Sequence, residues 1–256
     1  MPEPMPLVVD SAGARWFGRA ARLDAPRVRL ICLPHAGGTA SFFRSWAGAF
    51  GSGVEVLSAR YPGRQGRIAE PCLESMAALA DAVVEGLRPF LDRPFALFGH
   101  SMGASVAYEV ALRLEDRYGV RPQGLYVSSR AAPHRVAPSG VHLRGDEAII
   151  EHVRGLGGSD TAVLDDPDLR ELVMPAIRSD FRIVGTYRAP SPIPVRCPIF
   201  AYVGDRDPNV GTADMEAWSE VAAGGFALRV LPGDHFYLVP QQGDLIRDLE
   251  SRMASS

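Results

Sequence analysis

Ser101 lies in a pentapeptide with the composition of a catalytic turn. Residues 99–103 read Gly-His-Ser-Met-Gly, an apolar run at 95–99 leads into them, and a helical pattern follows at 104–114. A strand, a sharp turn and a helix in this order form a nucleophile elbow, where glycines flank the serine because a side chain there would clash across the turn. We therefore predict that Ser101 is a nucleophile beside a helix N-terminus, which favours negative charge on the bound oxygen. A glycine-rich turn in which the serine only caps the helix is the structural alternative.

A serine hydroxyl needs a base, and the chain order of an elbow of this kind places an acid and then a histidine after it. His235 stands in Gly-Asp-His-Phe-Tyr, directly after the last apolar run at 226–231. There it can reach over the elbow, and we predict that it is the general base. Two other histidines have different expected roles: His35 braces its own loop, with substrate contact as the alternative, and His100 packs beneath the elbow. The remaining histidines fall around an expected cap and are His134, His142 and His152.

Two aspartates follow the apolar run at 199–203 and could orient that histidine. Residues 204–208 read Gly-Asp-Arg-Asp-Pro, which offers Asp205 and Asp207. Asp207 is preferred because it lies beyond the glycine turn, and the proline after it favours an extended backbone that can aim it inward. Asp205 is the fallback, and Asp234 is poorly placed to reach the ring of the histidine next to it.

The negative oxygen that forms when a serine attacks a carbonyl needs backbone donors. In a nucleophile elbow one donor is the N–H of the residue after the serine, here Met102, and the other comes from a loop after an early strand. Residues 33–38 read Leu-Pro-His-Ala-Gly-Gly and continue the apolar run at 28–33. We assign the second donor of this oxyanion hole to Ala36, because the glycines behind it let the backbone approach the substrate.

Six short apolar runs predict the strands that position these residues. The runs are continuous rather than alternating, as is typical of strands buried on both faces. They cover residues 28–33, 54–58, 95–99, 125–129, 199–203 and 226–231. Helical stripes of apolar residues lie between them at 76–90 and 106–114, and one follows at 245–253. Strands that alternate with helices predict an α/β protein with a mostly parallel, doubly wound sheet.

One connection is too long for a simple crossover. Almost seventy residues separate the run that ends near 129 from the one that begins near 197, whereas a parallel crossover requires a dozen or more. We predict a single domain over 1–256 with a helical lid inserted at about 141–188. A disordered insert is the alternative, but the segment is too apolar for one.

Two helices are expected inside this insertion. The first carries an apolar stripe formed by Ile149, Ile150 and Val153. The second begins with Asp166 as its N-cap and Pro167 in its first turn. Its apolar residues are Leu169, Leu172 and Val173.

The composition bounds the function classes. The chain has 256 residues, 46 % of them hydrophobic, and a net charge of −3, which suits one compact α/β domain and excludes a disordered tail. The charges are spread without runs, so nucleic acid and anionic membranes are not expected as partners. All 27 basic residues are arginine, which excludes a lysine Schiff base, a P-loop lysine and a lysine general base. Because the histidines and cysteines lack zinc-ligand spacing, we expect no metal and no cofactor.

The three cysteines are far apart and odd in number, which indicates thiols in a reduced compartment. Cys32 and Cys197 lie in apolar runs and, with Cys72, are expected in the core. The N-terminal residues lack the basic start and apolar stretch of a signal peptide, and no window approaches eighteen consecutive apolar residues. We therefore expect a cytoplasmic protein without membrane contact.

Seven segments together make the chain resemble the type II thioesterases that accompany modular polyketide and nonribosomal peptide synthases. The segments are 33–38, 61–67, 99–103, 128–133, 176–181, 204–208 and 233–237. The resemblance covers nearly the whole chain and implies an α/β-hydrolase fold with a helical lid. Members of this family remove wrongly loaded or stalled acyl groups from the phosphopantetheine arms of acyl or peptidyl carrier domains, through a serine acyl-enzyme and then water. Carrier domains are thus the implied partners, and we expect a monomer.

The resemblance also selects the acid. In this family the acid follows the penultimate strand, which matches Asp207, whereas many synthase-integrated thioesterases carry it one strand earlier. The corresponding place here, residues 128–133, holds no carboxylate. Ser129 and Asp234 stand where the family often has glycine, and these departures bear on acyl preference rather than on the catalytic residues.

Other functions share the same residues. A general carboxylesterase acting on small diffusible esters, or an acyltransferase to an alcohol or amine, would use the same triad. A catalytically silent receptor on this fold would have no need of serine, acid and base together. If the partner is an acidic carrier domain, docking contacts are expected among a few arginines, although in a lysine-free chain such residues are more often solubilising charge. The candidates are Arg64, Arg67, Arg130 and Arg178.

Overall fold

A seven-stranded sheet runs through the part of the chain that the computed structural model describes, residues 11–137, 139–157, 163–189 and 191–254. Its strands are β1 (Phe17–Arg19), β2 (Val28–Leu33), β3 (Val54–Ala59), β4 (Phe95–His100), β5 (Leu125–Ser128), β6 (Ile199–Gly204) and β7 (Phe226–Leu231). The order is β1-β3-β2-β4-β5-β6-β7, with β1 antiparallel to β3 and the other neighbours parallel. The six predicted strands are confirmed to within one residue at their ends. The three residues of β1 carry no apolar run that could have predicted this edge strand.

Helices cover both faces of the sheet, as a doubly wound fold requires. The longer ones are α3 (Met76–Leu87), α4 (Met102–Tyr118), α5 (Asp146–Gly155), α6 (Pro167–Thr186) and α8 (Gln242–Ala254), and the shorter ones are α1 (Ser11–Trp16), α2 (Trp46–Ala49) and α7 (Thr212–Glu216). Because neighbouring residues of a strand point to opposite faces, Leu97 joins the core under α3 and α4, whereas Phe98 joins the core under α2 and α8. None of the helices in the described ranges is both long and apolar enough to cross a bilayer.

The long connection between β5 and β6 contains the two expected helices, α5 and α6, and a 3₁₀ turn at Val141–Leu143. These elements share a small core of their own, with Ile149, Ile150 and Phe181 buried in it. Asp166 caps α6 as predicted, because its carboxylate accepts the N–H groups of residues 168 and 169.

The apolar stripe predicted at the start of α6 is confirmed for Val173, which packs against the small core of the insertion, and is wrong for Leu169 and Leu172. Leu169 and Leu172 are 45 % and 53 % exposed. The first fully buried residue of this helix is Met174, so the helix meets the small core of the insertion only from the end of its second turn onward.

A buried ion pair crosses the sheet near its edge. Arg29 of β2 and Glu55 of β3 are register partners, and Arg29 Nε donates to Glu55 Oε2 at 2.9 Å. Arg29 Nη1 also donates to the Phe90 carbonyl at 2.8 Å, while Arg19 Nη1 and the Leu23 N–H approach Glu55 Oε1 at 3.3 and 3.4 Å. Both charges are thus compensated among strands that already pair through their main chains.

Candidate active site

Ser101 lies on a strained turn between β4 and α4. Its φ of +53° and ψ of −119° belong to a region that residues with a Cβ atom rarely adopt, and its N–H donates to the Ser128 carbonyl at 2.8 Å. A Cβ atom on Gly103 would overlap the carbonyl of Leu33, and one on Gly99 would overlap the carbonyl of Gly103. The turn is therefore so tight that only glycine fits on either side of the serine, which is the geometry of a nucleophile elbow.

His235 and Asp207 meet in the loops that follow β7 and β6. The His235 Nδ1 and Asp207 Oδ2 atoms are 2.8 Å apart, and the two side chains are only 4 % and 0 % exposed. The N–H groups of Asn209 and Val210 donate to Asp207 Oδ1 at 3.0 and 3.2 Å. Burial raises the pKa of Asp207, but the hydrogen bonds and charge of its partners outweigh burial, so the pKa lies below its usual value. Asp207 is therefore an ionised acceptor at neutral pH.

The ionised carboxylate determines the tautomer of His235. A carboxylate only accepts hydrogen bonds, so His235 Nδ1 carries the proton that it donates and Nε2 keeps a lone pair. Nε2 is buried and has no hydrogen-bond partner in the described residues, Ser101 Oγ included. Ser101 and His235 line the same cavity, and such contacts often tighten only when substrate binds. The arrangement supplies the lone pair of a general base in the cavity of the nucleophile.

The two other aspartates near the histidine have different partners. Asp205 Oδ1 accepts the N–H of Gly233 at 2.8 Å, so it holds the loop that carries the histidine rather than the imidazole ring. Asp234 Oδ1 accepts the N–H of Phe236 at 2.8 Å. Of these carboxylates, Asp207 is the one hydrogen-bonded to the His235 ring.

Two backbone donors stand beside the elbow. The N–H groups of Ala36 and Met102 donate no hydrogen bond to any described residue, and Met102 is the first residue of α4, where helical N–H groups have no partner inside the helix. The loop and the elbow touch, because Gly103 packs against the Leu33 carbonyl. Ala36 and Met102 therefore offer the pair of N–H groups that an oxyanion needs.

His100 is fully buried beneath the elbow, in the packing role predicted for it. Its Nδ1 lies 2.9 Å from Ser128 Oγ, which in turn lies 2.8 Å from the Tyr237 hydroxyl. Burial, and then the charges of neighbouring histidines, lower the pKa of His100 well below its usual value, so the ring stays neutral. This chain of hydrogen bonds ties the end of β4 to the loop that carries His235.

His35 packs edge-on against two phenylalanines. Its ring centroid lies 4.8 Å from that of Phe42 and 4.9 Å from that of Phe236. A Cβ atom on Gly38 would lie 2.8 Å from the His35 ring, so the ring also supports the turn behind Ala36. This packing favours the bracing role over substrate contact.

A cavity of about 620 Å³ lies between the site and the inserted helices. This volume is in the range of small-molecule sites. Ser101 and His235 form part of the wall. The insertion contributes the apolar residues Val153, Leu156, Val163, Leu164, Ile177 and Phe181. An apolar chamber beside a nucleophile can hold the hydrocarbon part of a substrate while its carbonyl lies at the serine.

The arginines expected as docking contacts are mostly unavailable. Arg64 and Arg67 are each only 8 % exposed and pair with carboxylates, so the docking expectation is wrong for both. Arg130 lines the cavity, where burial lowers its pKa to about 10. Arg178 is exposed, but its Nε donates to Asp146 at 2.5 Å.

One buried carboxylate next to the site has no role in the sequence analysis. Asp180 of α6 is 2 % exposed and accepts the N–H of Gly37 at 2.7 Å. In the sequence it appears only as one residue of the segment 176–181. A lone carboxylate among the apolar residues of a helix is the signal that could have pointed to it.

Comparisons with known proteins agree with one another. The model of the thioesterase domain family matches residues 28–253. The chain is 44 % identical to thioesterase PikA5 of Streptomyces venezuelae, over 97 % of this chain and 88 % of that protein. It is 37 % identical to the gramicidin S biosynthesis protein GrsT of Aneurinibacillus migulanus, over 91 % of each chain. The solved structure of BorB, a type II thioesterase from the borrelidin biosynthetic cluster, superposes with a TM-score of 0.85 at 39 % identity, covering 93 % of this chain and 97 % of that one.

Proposed function

The chain belongs to the thioesterase domain family, and from this premise we propose that Ser101, His235 and Asp207 carry its reaction, with Ala36 and Met102 as oxyanion donors. The activity is that of a type II thioesterase of polyketide and nonribosomal peptide biosynthesis, which removes acyl groups from carrier-protein arms. The observation that supports these residue roles best is the hydrogen bond from His235 to a buried, ionised Asp207. That bond leaves the imidazole lone pair in the cavity that Ser101 lines.

In the first half of the reaction, Ser101 Oγ attacks the thioester carbonyl carbon and gives its proton to His235 Nε2. The Asp207 carboxylate orients the ring and stabilises the imidazolium that forms. The carbonyl oxygen becomes negative and accepts hydrogen bonds from the N–H groups of Ala36 and Met102, each of which is worth about 3 kcal/mol in comparable enzymes. The carbon–sulfur bond then breaks, the sulfur departs as a thiolate with the electron pair and takes up the proton that His235 holds, and the acyl group stays on Ser101 as an ester.

In the second half, water attacks this ester while His235 Nε2 takes one of its protons. The same two N–H groups hold the second oxyanion, the serine oxygen recovers a proton from the imidazolium, and the carboxylic acid leaves. A thiol has a reference pKa of about 8.5 and needs little protonation to depart. We therefore infer that His235 matters most as the base in the two attacks.

The inserted helices supply the remaining requirement, which is a place for the acyl chain. The apolar wall formed by α5 and α6 suits short hydrocarbon groups, and the segment 141–188 is proposed to act as the lid over them. Hydrolysis of small diffusible esters is the competing activity, because the same triad would catalyse it.

The decisive experiment measures the intact mass of a carrier protein loaded with acetyl, propionyl or butyryl groups, after incubation with the wild type or with Ser101→Ala. We expect the wild type to remove the acyl mass, and the alanine variant to be slower by on the order of 10³-fold or more. Near-normal turnover by the variant would sink the assignment of Ser101. Retention of the acyl mass by both proteins, with cleavage of a matched oxygen ester by the wild type, would favour the esterase.

A further inference from the structure

A buried ion pair joins the inserted helices to the loop that carries Ala36. Arg64 Nη1 donates to Asp180 Oδ2 at 2.6 Å, and Arg64 Nη2 donates to Asp180 Oδ1 at 2.8 Å. The two side chains are 9 % and 3 % exposed. Two parallel N–H···O bonds between a guanidinium and a carboxylate fix both the distance and the orientation of the pair. Asp180 belongs to α6, whereas Arg64 lies in the loop after β3, so the pair connects parts of the chain that no strand pairing holds together.

The pair also forms hydrogen bonds with the two glycines that follow Ala36. The N–H of Gly37 donates to Asp180 Oδ2 at 2.7 Å, and Arg64 Nη1 donates to the Gly38 carbonyl at 3.0 Å. The Gly37 N–H belongs to the peptide group that directly follows Ala36, so its hydrogen bond fixes the orientation of that peptide. Gly37 has a φ of +76°, and glycines have many alternative conformations. The two contacts therefore select one conformation for a loop that would otherwise have several.

The helix that supplies the carboxylate also forms a wall of the acyl cavity. Ile177 and Phe181 of α6 line that cavity, and Asp180 stands between them in the chain. A Cβ atom on Gly37 would lie 3.3 Å from Ile177 Cγ1, so the loop packs directly on this helix. A shift of α6 would move the acceptor of the Gly37 N–H together with the cavity wall.

We propose that Asp180 and Arg64 are positioning residues that hold the Ala36 N–H at the oxyanion site and thereby make hydrolysis depend on the docking of α6. This inference rests on the proposed function, because it needs Ala36 as an oxyanion donor. When the pair is broken, the loop samples other conformations and the oxyanion loses one of its two donors for part of the time. The variant therefore loses stabilisation of the transition state and not of the bound substrate, because the oxyanion does not exist in the bound substrate.

The test uses Asp180→Asn in the full chain, with butyryl-N-acetylcysteamine as a carrier-independent thioester. Complete removal of one oxyanion donor costs about 10² to 10³ in kcat in comparable enzymes, and the donor here is displaced rather than deleted. We expect kcat to fall about 10- to 100-fold while KM changes less than about threefold. The Ki of butaneboronic acid, whose tetrahedral adduct with Ser101 mimics the transition state, should rise by the same factor as kcat/KM falls.

A matched control separates positioning from stability. Glu55→Gln also removes a buried carboxylate partner of a buried arginine, but in the sheet, and Arg29 keeps its second partner Asp92. This variant should lower Tm while kcat and Ki stay within about twofold of the wild type. The double variant Arg64→Met/Asp180→Leu replaces the pair by apolar side chains, which often restores stability. It should recover Tm relative to Asp180→Asn without recovering kcat, and it carries the test if the single variant fails to fold.

The outcomes are distinct. Unchanged kcat in the Asp180 variants, or recovery of kcat together with Tm in the double variant, would overturn the positioning role and leave a purely structural pair. Activity of Ser101→Ala in the same assay would instead refute the proposed function. A wild type that is active, a Ser101→Ala variant that is inactive and an Asp180→Asn variant with equal losses in kcat/KM and boronate affinity would establish the inference.

Discussion

Two buried arginine–carboxylate pairs in the described part of the chain differ in what they connect. Arg29 and Glu55 sit opposite each other on β2 and β3, so the main-chain ladder already places their backbones before the charges meet. Arg64 and Asp180 are 116 residues apart, and one lies in a loop while the other lies on an inserted helix. In the sheet, the ion pair therefore reinforces two strands that are already paired. At the carboxyl edge of the sheet, the same kind of ion pair sets the position of a loop relative to a helix.

The Asp207–His235 pair belongs to the second kind. It joins the loops after β6 and β7. His235 keeps Nε2 free for the proposed reaction among the described residues, and Asp207 keeps Oδ1 as the acceptor of two N–H groups of its own loop. In the sheet, by contrast, the charges of Arg29 and Glu55 are taken up by neighbouring strands and by the Phe90 carbonyl. The comparison teaches that burial and pairing alone do not mark a functional charge. A functional charge is better indicated by an ion pair that joins two loops and leaves a neighbouring polar atom without a hydrogen-bond partner. His235 Nε2 is such an atom among the described residues.

The largest expected effect comes from breaking the hydrogen bond between Asp207 and His235. An amide in place of the Asp207 carboxylate favours the wrong tautomer of His235 and no longer stabilises the imidazolium, so Asp207→Asn should lower kcat by on the order of 10⁴-fold. Steady-state turnover of an acyl thioester measures this loss. Asp205→Asn is the matched control, because it lies two residues away and contacts the loop of the histidine but not its ring. Equal losses in the two variants would show that the loop matters and the pair does not.

The next effect concerns the sheet and should appear in stability. Removing one partner of a buried pair typically costs about 3 to 5 kcal/mol, and Arg29 keeps its contacts with the Phe90 carbonyl and Asp92. We therefore expect Glu55→Gln to lower the free energy of unfolding by about 3 kcal/mol, measured by urea denaturation, with kcat unchanged. The apolar replacement Arg29→Met/Glu55→Leu should regain most of it. A large fall in kcat in either variant would remove the distinction between the two regions.

This division also explains what can be read from the sequence. The strands and the elbow are local patterns, because buried runs and the spacing of Gly99, Ser101 and Gly103 carry their own structural meaning. The Asp207–His235 pair could be predicted because chain order and strand ends place both residues at one edge of the sheet. The contact of Asp180 with Gly37 depends on how an inserted helix docks, and no local pattern encodes it. The wrong prediction for Leu169 and Leu172 has the same cause, since the docking of α6 determines which of its residues are buried.

A smaller effect is expected from the imidazole ring of His35, which has no carboxylate partner in the part of the chain that the structure describes. Burial, and then the charges of His235 and Arg64, lower the pKa of His35 from 6.5 to about 3. Because the pKa is lower in the folded chain, the contribution of the neutral ring is complete above about pH 6.5 and is lost as the pH falls from 6.5 toward 3. His35 is half-buried and lines the cavity, so solvent there screens the ring in part, and we expect a loss of about 1 kcal/mol between pH 6.5 and pH 5.

His35→Gln removes this titration. Its free energy of unfolding should therefore depend less steeply on pH than that of the wild type over the same interval, as followed by urea denaturation at each pH. His134→Gln, which changes a histidine outside the cavity, serves as the control. Parallel pH profiles for the wild type and His35→Gln would mean that the ring is not held neutral by its surroundings.

The smallest effect is expected at Arg182, two residues beyond Asp180 on α6. Arg182 Nη1 lies 2.8 Å from Glu74 Oε2, a distance close to those of the Arg64–Asp180 pair, but these side chains are 57 % and 62 % exposed. Exposed ion pairs contribute about 0.2 to 1 kcal/mol, because water screens the charges and two long side chains must be ordered. Arg182→Gln should therefore change the free energy of unfolding by less than about 1 kcal/mol and leave kcat, KM and the boronate Ki unaltered. Among the described residues, the same helix thus forms these two ion pairs of similar length with the rest of the chain. Burial and the hydrogen bond to Gly37 distinguish the Arg64–Asp180 pair, which is the one that we propose to matter for catalysis. A loss of kcat in Arg182→Gln comparable to that in Asp180→Asn would show instead that any loosening of α6 is enough, and that the bond to the loop is not the reason.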